Sequence, residues 1–133
     1  MDPSDFDAPQ IDALFELMVI AAAADDEVGA EEKKELAENL ESLTKGRLPA
    51  GGFEAAFANA LGLLALEGRD ARLVTVKERL GSPERCEAAL AAAIRVFAVD
   101  GVVRTSEREA ILEIAEALGV DTDRAADLVR SLA

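Results

Sequence analysis

Apolar residues recur at helical spacing along most of the 133-residue chain. The first such stripe is formed by Ile11, Leu14, Phe15 and Met18, which fall on one face of a helix. No stretch shows the alternation of apolar and polar residues that a half-buried strand needs. Ala and Leu, both strong helix formers, supply most of the apolar half of the sequence. The pattern predicts an all-α fold of about seven helices, over about residues 9–24, 30–43, 53–67, 70–80, 83–99, 106–118 and 121–132.

Helix-breaking residues separate these segments. Gly81-Ser82-Pro83 supplies in succession a stop, an N-cap and a first-turn proline. Gly68 is expected to cap the third helix, and residues 44–52, with three glycines and a proline, are expected to form the longest loop. Residues 1–8 are acidic and offer little to bury, which predicts a flexible tail. Residues 9–133 are therefore predicted to form a single helical domain.

The sequence contains an internal repeat at an offset of 75 residues, which brings residues 24–32 onto residues 99–107. Each copy is a long apolar helix, an Asp, a hydrophobic residue three positions later, a Glu seven positions later and another amphipathic helix. Repeat one covers residues 11–43 and repeat two covers residues 85–118. Each helix-loop-helix leaves one apolar face that it cannot cover alone, so we expect the two to pack about a pseudo-twofold axis.

The two loops carry carboxylates at equivalent places. Glu32 and Glu107 are expected in the first turn of the second helix of each repeat, beside free amide groups and the positive end of the helix dipole. Asp25 and Asp100 close the preceding helices, so that an Asp and a Glu can face each other across each loop. With loop carbonyl oxygens, such carboxylates suit a hard divalent cation such as Ca²⁺ or Mg²⁺. The candidate metal ligands are Asp25, Asp26, Glu27, Glu32, Asp100 and Glu107.

The same residues also fit a role in helix capping. Ser106 and Glu109 have the spacing of a capping box, and first-turn glutamates stabilise a helix by about a few tenths of a kcal/mol without any ligand. The second loop is no EF-hand, since Val102 and Arg104 stand where an EF-hand has oxygen ligands. The first loop is richer in carboxylates than the second and is the stronger candidate for a binding function.

The formal charge of −13 argues against nucleic-acid binding, which requires clustered Lys and Arg. The acid is concentrated in residues 24–41, where eight acids stand against two bases, whereas residues 45–85 have a net charge of +2. A solvated helix face, a cation site and a basic partner all account for the acidic stretch.

The sequence has no His and one cysteine, Cys86, which is expected to be a small core residue. Without a histidine to activate that thiol, no enzymatic activity is expected. A single cysteine and an N-terminus without a basic, apolar leader predict a cytoplasmic protein.

The loops and the helices after them resemble the TerB family of tellurite-resistance proteins and the wider TerB-like group. The resemblance covers roughly residues 11–125 and rests on residues 21–33, 99–109 and 113–119. The family's form is Asp-Gly-x-hydrophobic followed by a Glu about seven residues after the Asp, given twice in an all-helical domain. The first copy departs from it in having Asp26 where the motif has Gly.

The resemblance implies a bacterial module of tellurite resistance and stress response that binds metal or protein and is not an enzyme. It carries divalent-cation ligands onto Asp25 and Glu32 in the first copy, and onto Asp100 and Glu107 in the second. It also implies a protein partner, a membrane-bound protein of the TerC type, which would place the chain at the inner face of the membrane. No direct insertion into the membrane is expected.

Two functional hypotheses follow. The leading one is a TerB-like module whose acidic first loop binds a divalent cation, a basic partner surface or both. The alternative is a structural interaction domain whose acids only cap helices and that binds a partner through an apolar or basic face, such as that of Arg69, Arg72 and Lys77.

Overall fold

The computed structural model describes residues 3–24, 30–49, 51–97 and 105–132, apart from the side chains at positions 32, 96, 97, 106 and 132. Within these ranges the chain forms helices and no strand, which confirms the all-α prediction. A short 3₁₀ helix, Pro3–Asp5, precedes the α-helices. The seven α-helices are α1 Ala8–Ala22, α2 Ala30–Thr44, α3 Phe53–Glu67, α4 Arg69–Leu80, α5 Pro83–Phe97, α6 Thr105–Leu118 and α7 Thr122–Leu132.

Local side-chain chemistry explains where several helices begin and end. Asp7 caps α1, because its carboxylate accepts a hydrogen bond from the Gln10 amide at 3.0 Å while the Gln10 side chain accepts one from the Asp7 amide at 2.9 Å. Gly81 ends α4 in the left-handed region with φ 80°. The Ser82 hydroxyl then accepts a hydrogen bond from the Arg85 amide at 3.2 Å. The boundary predicted at residues 81–83 is confirmed.

The core is organised around α1, which packs against α2, α3, α4 and α5. Its residues from Ala13 to Ala21 are all buried, including Glu16, so α1 has little of the two-sided character of a surface helix. The helices α6 and α7 complete the fold by packing on α4 and α5 and on each other. The middle of α1 therefore lies inside the domain, and its C-terminal end leads into the first acidic loop.

The helices repeat at the offset found in the sequence. Helix α5 begins and ends 75 residues after α1, and α6 begins 75 residues after α2. Leu36 and Ile111, which the offset aligns, are both buried, as are Leu40 and Ala115. Seven residues separate α1 from α2, and seven separate α5 from α6. The helical arrangement thus follows the repeat, while the pseudo-twofold axis stays a prediction.

The N-terminal segment differs from the flexible tail predicted for residues 1–8. Phe6 is 1% exposed and belongs to the hydrophobic core. Its carbonyl oxygen accepts a hydrogen bond from the guanidinium of Arg47, and the 3₁₀ helix before it contacts α2 and α5. A buried phenylalanine attaches this segment to the domain because it removes a large apolar surface from water. The sequence-based expectation missed Phe6 because its neighbours are acidic.

Candidate functional site

The structure places only part of the predicted metal site. Asp25, Asp26, Glu27 and Asp100 lie outside the described residues, as does the side chain of Glu32. The backbone of residue 32 lies in the first turn of α2, where the sequence predicted it. No group of three or more His, Cys, Asp or Glu side chains within the described part of the chain is arranged to hold a metal ion.

Glu107 is the member of the predicted set whose side chain is described. It lies in the first turn of α6, as predicted, and is only 7% exposed. A first-turn carboxylate lies beside the free amide groups of the helix N-terminus, which stabilise its charge. The capping hypothesis requires Glu107 to lie in the first turn of α6, and this is where it lies. The capping box predicted for Ser106 and Glu109 stays a prediction, since the Ser106 side chain lies outside the described residues.

The solvent-facing side of α2 carries a row of carboxylates, which we call the α2 acidic row. Its members are Glu31, Glu35, Glu38 and Glu41. The opposite side of the helix is buried through Leu36 and Leu40. Spacings of three and four residues bring successive carboxylates of the row onto neighbouring turns of one face. Glu31, the first member of the row, follows the acidic residues 25–27 by four positions in the sequence. The row therefore extends that run of negative charge along α2.

None of the four carboxylates of the α2 acidic row forms an ion pair with a described residue. Lys33 does not neutralise the row, because its ammonium group lies against α3. There it pairs with Glu54 and lies 4.9 Å from the ring centroid of Phe57. Lys34 is exposed. The outer side of α2 therefore presents negative charge that the described part of the chain leaves largely uncompensated.

A groove lies next to the start of the acidic loop. It has a volume of about 540 Å³ and lies between the C-terminal end of α1 and the corner where α3 meets α4. Ala23 and Ala24 form one wall, and Glu67 and Asp70 add two carboxylates on the other. Arg69 also lines the groove, and its guanidinium pairs with Glu113. The groove brings further acidic side chains beside Ala24, the residue that directly precedes the loop.

A buried ion pair is the strongest electrostatic feature that the sequence did not reveal. Arg72 donates to both carboxylate oxygens of Glu16, from Nε at 2.6 Å and from Nη2 at 2.8 Å, and both side chains are about 93% buried or more. Its third nitrogen, Nη1, lies 3.3 Å from Glu67, and Arg79 lies 3.6 Å from Glu16. The hydrogen bond to Glu16 raises the pKa of Arg72 above its ordinary value, against the opposing effect of burial. Arg72 is therefore charged at every usable pH.

This pairing changes the interpretation of the basic residues on α4. Arg72 was expected on a basic docking face with Arg69 and Lys77, but it is 6% exposed and faces the core. That expectation is wrong for Arg72, because α1 offers a carboxylate inside the domain. One signal was available in the sequence, since Glu16 interrupts an otherwise apolar run in α1. An isolated charge inside a buried helix requires a partner of opposite sign.

Cys86 lies in the core, as the sequence predicted, with 3% of its surface exposed. Burial raises the pKa of its thiol above its ordinary value, and the nearby charge of Lys77 partly opposes that effect. The thiol is therefore protonated near neutral pH and poorly nucleophilic.

Comparison with known proteins identifies no relative: no protein-family model, no curated protein and no solved structure matches the chain. Among the described helices, none combines the length and the apolar character needed to cross a membrane.

Proposed function

We propose that this chain is a non-catalytic, TerB-like binding module of the tellurite-resistance and stress-response type. In this proposal the first hairpin, α1 and α2 with the loop between them, binds a divalent cation or a basic partner surface. The observation that carries the proposal is the α2 acidic row, whose four carboxylates form no ion pair with a described residue and directly follow the acidic loop.

The α2 acidic row has an energetic cost that a positive ligand would relieve. Like charges three or four residues apart on a helix destabilise it by about 0.2–0.5 kcal/mol per pair. Glu31 and Glu35 form such a pair, as do Glu35 and Glu38. A cation or a basic surface lowers this repulsion: a divalent cation is coordinated by the carboxylate oxygens, and a basic surface donates charge-assisted hydrogen bonds to them. Binding at the first hairpin is therefore expected to raise the stability of α2.

The second hairpin, α5 and α6 with the loop between them, supports the alternative role of capping. Glu107 is buried in the first turn of α6, where the helix dipole and free amide groups stabilise its charge. The second loop also carries Arg104, a positive charge that disfavours a cation. We therefore assign binding to the first hairpin and a structural role to Glu107.

The absence of enzymatic activity is part of the proposal. The sequence contains no His, and the single thiol is buried with a raised pKa. Nucleophilic catalysis by a thiol needs an accessible thiolate beside a base, and Cys86 meets neither requirement.

The TerB resemblance implies a partner, a membrane protein of the TerC type. In this proposal the chain binds that partner at the cytoplasmic face of the membrane. The contact would be made by a basic segment of that partner, because the α2 acidic row offers only negative charge to it. Such an interaction is expected to weaken as salt is added, since the four carboxylates lie near the surface.

The metal version is tested by calorimetric titration of Ca²⁺, Mg²⁺, Mn²⁺ and Zn²⁺ into the full chain and into an Asp25→Asn/Glu32→Gln variant. Binding by the wild type with a Kd below about 1 mM that the variant loses supports it. Asp100→Asn/Glu107→Gln is the matched variant of the second hairpin and is expected to retain the ion. Failure of all four ions to bind below that concentration rejects the metal version.

The basic-partner version is tested with an oligolysine peptide as the probe. Glu31→Gln/Glu35→Gln/Glu38→Gln removes three charges from the α2 acidic row. The control Glu84→Gln/Glu109→Gln/Glu116→Gln removes three exposed charges from α5 and α6, so the two variants have the same net charge. We expect the first variant alone to weaken peptide binding by about tenfold or more, which corresponds to about 1.4 kcal/mol. Equal weakening in both would mean that only net charge matters, and would reject a site on α2.

A further inference from the structure

A cleft of about 570 Å³ opens between α1 and α3, and we call it the α1–α3 cleft. It runs along the N-terminal half of α1, whereas the groove beside the acidic loop lies at the C-terminal end of that helix. Phe15, Ala56 and Ala60 give the cleft apolar walls. Its polar lining comes from four side chains, those of Asp12, Glu16, Asn59 and Arg79. Apolar walls with a few convergent polar groups, in a cleft of this volume, are typical of sites that bind small molecules.

Glu16 is the buried charge of this cleft. Only 6% of its side chain is exposed, and it nevertheless lines the cleft. An ionised carboxylate has about four positions at which it can accept a hydrogen bond. Arg72 uses two of them, one on each oxygen, and is not part of the lining of the cleft. Part of the acceptor capacity of Glu16 therefore remains for a donor that enters the cleft.

Arg79 brings unused hydrogen-bond donors to the same cleft. Its Nη1 lies 3.6 Å from Oε1 of Glu16, a distance at which opposite charges attract but which is too long for a hydrogen bond. Among the described residues, none accepts a hydrogen bond from Arg79. A guanidinium has five N–H donors in a planar fork that matches the two oxygens of a carboxylate. Arg79 can therefore bind a carboxylate that enters the cleft.

The charges of the α1–α3 cleft match a ligand that carries one charge of each sign. Arg72 neutralises Glu16 within the protein. Arg79 then remains as a positive charge of the lining, and Asp12 as a negative one. A simple anion would meet the carboxylate of Asp12, and a simple cation would meet the guanidinium of Arg79, so each would face a charge of its own sign. The donor of Arg79 and the acceptor of Glu16 are only 3.6 Å apart, so their complementary groups on a ligand must be adjacent, as in an α-amino acid.

We propose that the α1–α3 cleft binds a free α-amino acid with an apolar side chain. The carboxylate of the ligand accepts hydrogen bonds from Arg79, and its ammonium group donates to Glu16. Its side chain packs against Phe15 and Ala60, which belong to the hydrophobic core, and so leaves water. The exposed amide of Asn59 can both donate and accept hydrogen bonds at the rim of the cleft. The site uses no residue of the acidic first loop or of the α2 acidic row, so it is a second binding function, independent of the one proposed above.

The proposal is tested by calorimetric titration of L-leucine, L-methionine and L-phenylalanine into the full chain. We expect at least one of the three to bind with a Kd below about 1 mM. Arg79→Gln removes the guanidinium fork and is expected to weaken that binding by about tenfold or more. Arg124→Gln is the matched control, because it removes the same charge from an exposed arginine on α7, and it should bind as the wild type does. Far-ultraviolet circular dichroism checks that both variants keep their helices.

Two derivatives of the amino acid that binds most tightly test the need for both charges on the wild-type protein. The N-acetyl derivative lacks the ammonium group and the amide derivative lacks the carboxylate, and each is expected to bind about tenfold more weakly or worse. Glu31→Gln/Glu35→Gln/Glu38→Gln should bind the amino acid as the wild type does, since its changes lie outside the cleft. The proposal is overturned if none of the three amino acids binds below about 1 mM, or if either derivative binds as tightly as its parent. It is also overturned if Arg79→Gln binds no more weakly than Arg124→Gln, or if the triple variant loses the amino acid.

Discussion

The buried pair of Glu16 and Arg72 gives a prediction whose size follows from its geometry. Replacing Arg72 with Met leaves the Glu16 carboxylate, which is 5% exposed, without its two short hydrogen bonds. The remaining cation, Arg79, lies 3.6 Å away and has a side chain that is 43% exposed, so it replaces only part of the interaction. Removal of one member of a buried pair costs about 3–5 kcal/mol. A domain of this size is stable by about 5–15 kcal/mol, so the loss is a large fraction of the total.

The assay is urea unfolding followed by far-ultraviolet circular dichroism, because the chain has no Trp or Tyr to report by fluorescence. With an m-value of about 2 kcal/mol/M, Arg72→Met should lower the urea midpoint by about 2 M. The double variant Glu16→Met/Arg72→Met should recover most of that loss, since two apolar side chains of similar length can replace a buried ion pair at little cost.

The exposed pair of Arg124 and Glu87 is the control for this measurement. Its atoms are 2.6 Å apart, as in the buried pair, but its side chains are 53% and 37% exposed. Arg124→Met is therefore expected to cost at most about 1 kcal/mol. The reasoning is refuted if Arg72→Met costs no more than Arg124→Met, or if the double variant is destabilised by the sum of the two single changes.

Three further predictions concern single side chains. Phe6→Ala should destabilise the protein by about 3–5 kcal/mol in the same urea assay, and a change within a few tenths would show that residues 3–6 are only loosely attached. Asp7→Ala removes the cap of α1 and should cost about 1 kcal/mol, with Asp5→Ala as a neutral control. Burial raises the pKa of the Cys86 thiol above its ordinary value in the folded state, so the unfolded chain loses that proton first and stability falls as the pH rises from the ordinary thiol pKa towards the raised one. Cys86→Ala should remove this part of the loss of stability at alkaline pH. If the difference in free energy of unfolding between the wild type and Cys86→Ala stays constant from neutral pH upward, the prediction is wrong.

The helices could be predicted from the sequence because their boundaries are set by local chemistry. Helix α3 has the predicted bounds, since Gly52 precedes it and Gly68 follows it. The stop and start at residues 81–83 rest on Gly81 and Ser82, which act within a few residues of their own positions. The predicted end of the first helix at position 24 was two residues too late, within the usual uncertainty of a fraying end.

The apolar run around Glu16 signals a buried charge, but the partner of that charge could not be predicted, because the pairing depends on tertiary structure. Glu16 and Arg72 are 56 residues apart, and nothing in the sequence around Arg72 distinguishes it from Arg69 and Arg79 of the same helix. The burial of Phe6 is likewise decided by the approach of the N-terminal segment to α2. The neighbours of Phe6 are acidic, which led to the prediction of a flexible tail. Burial of one aromatic side chain against a nearby core nevertheless stabilises the attached segment more than its acidic neighbours destabilise it.

The candidate site was predictable in part. The first turn of α6 contains Glu107, where the repeat predicted it, while the pairing of Asp25 with Glu32 and of Asp100 with Glu107 stays a prediction. The sequence also showed the acidic charge of residues 24–41, but not which of those acids lack a partner. The sequence does not show that Lys33 pairs with Glu54 of α3 and therefore leaves the carboxylates of the α2 acidic row unpaired.

The most direct test of the proposed function is a titration of the ¹⁵N-labelled full chain, followed by amide chemical shifts in NMR, with Ca²⁺ and the oligolysine peptide added in separate series. Our account predicts that one of the two ligands shifts a contiguous set of amides in residues 25–41 and saturates below about 1 mM, while the amides of α6 move little. Shifts spread over acidic residues of all helices without saturation, or no shift with either ligand, would contradict it.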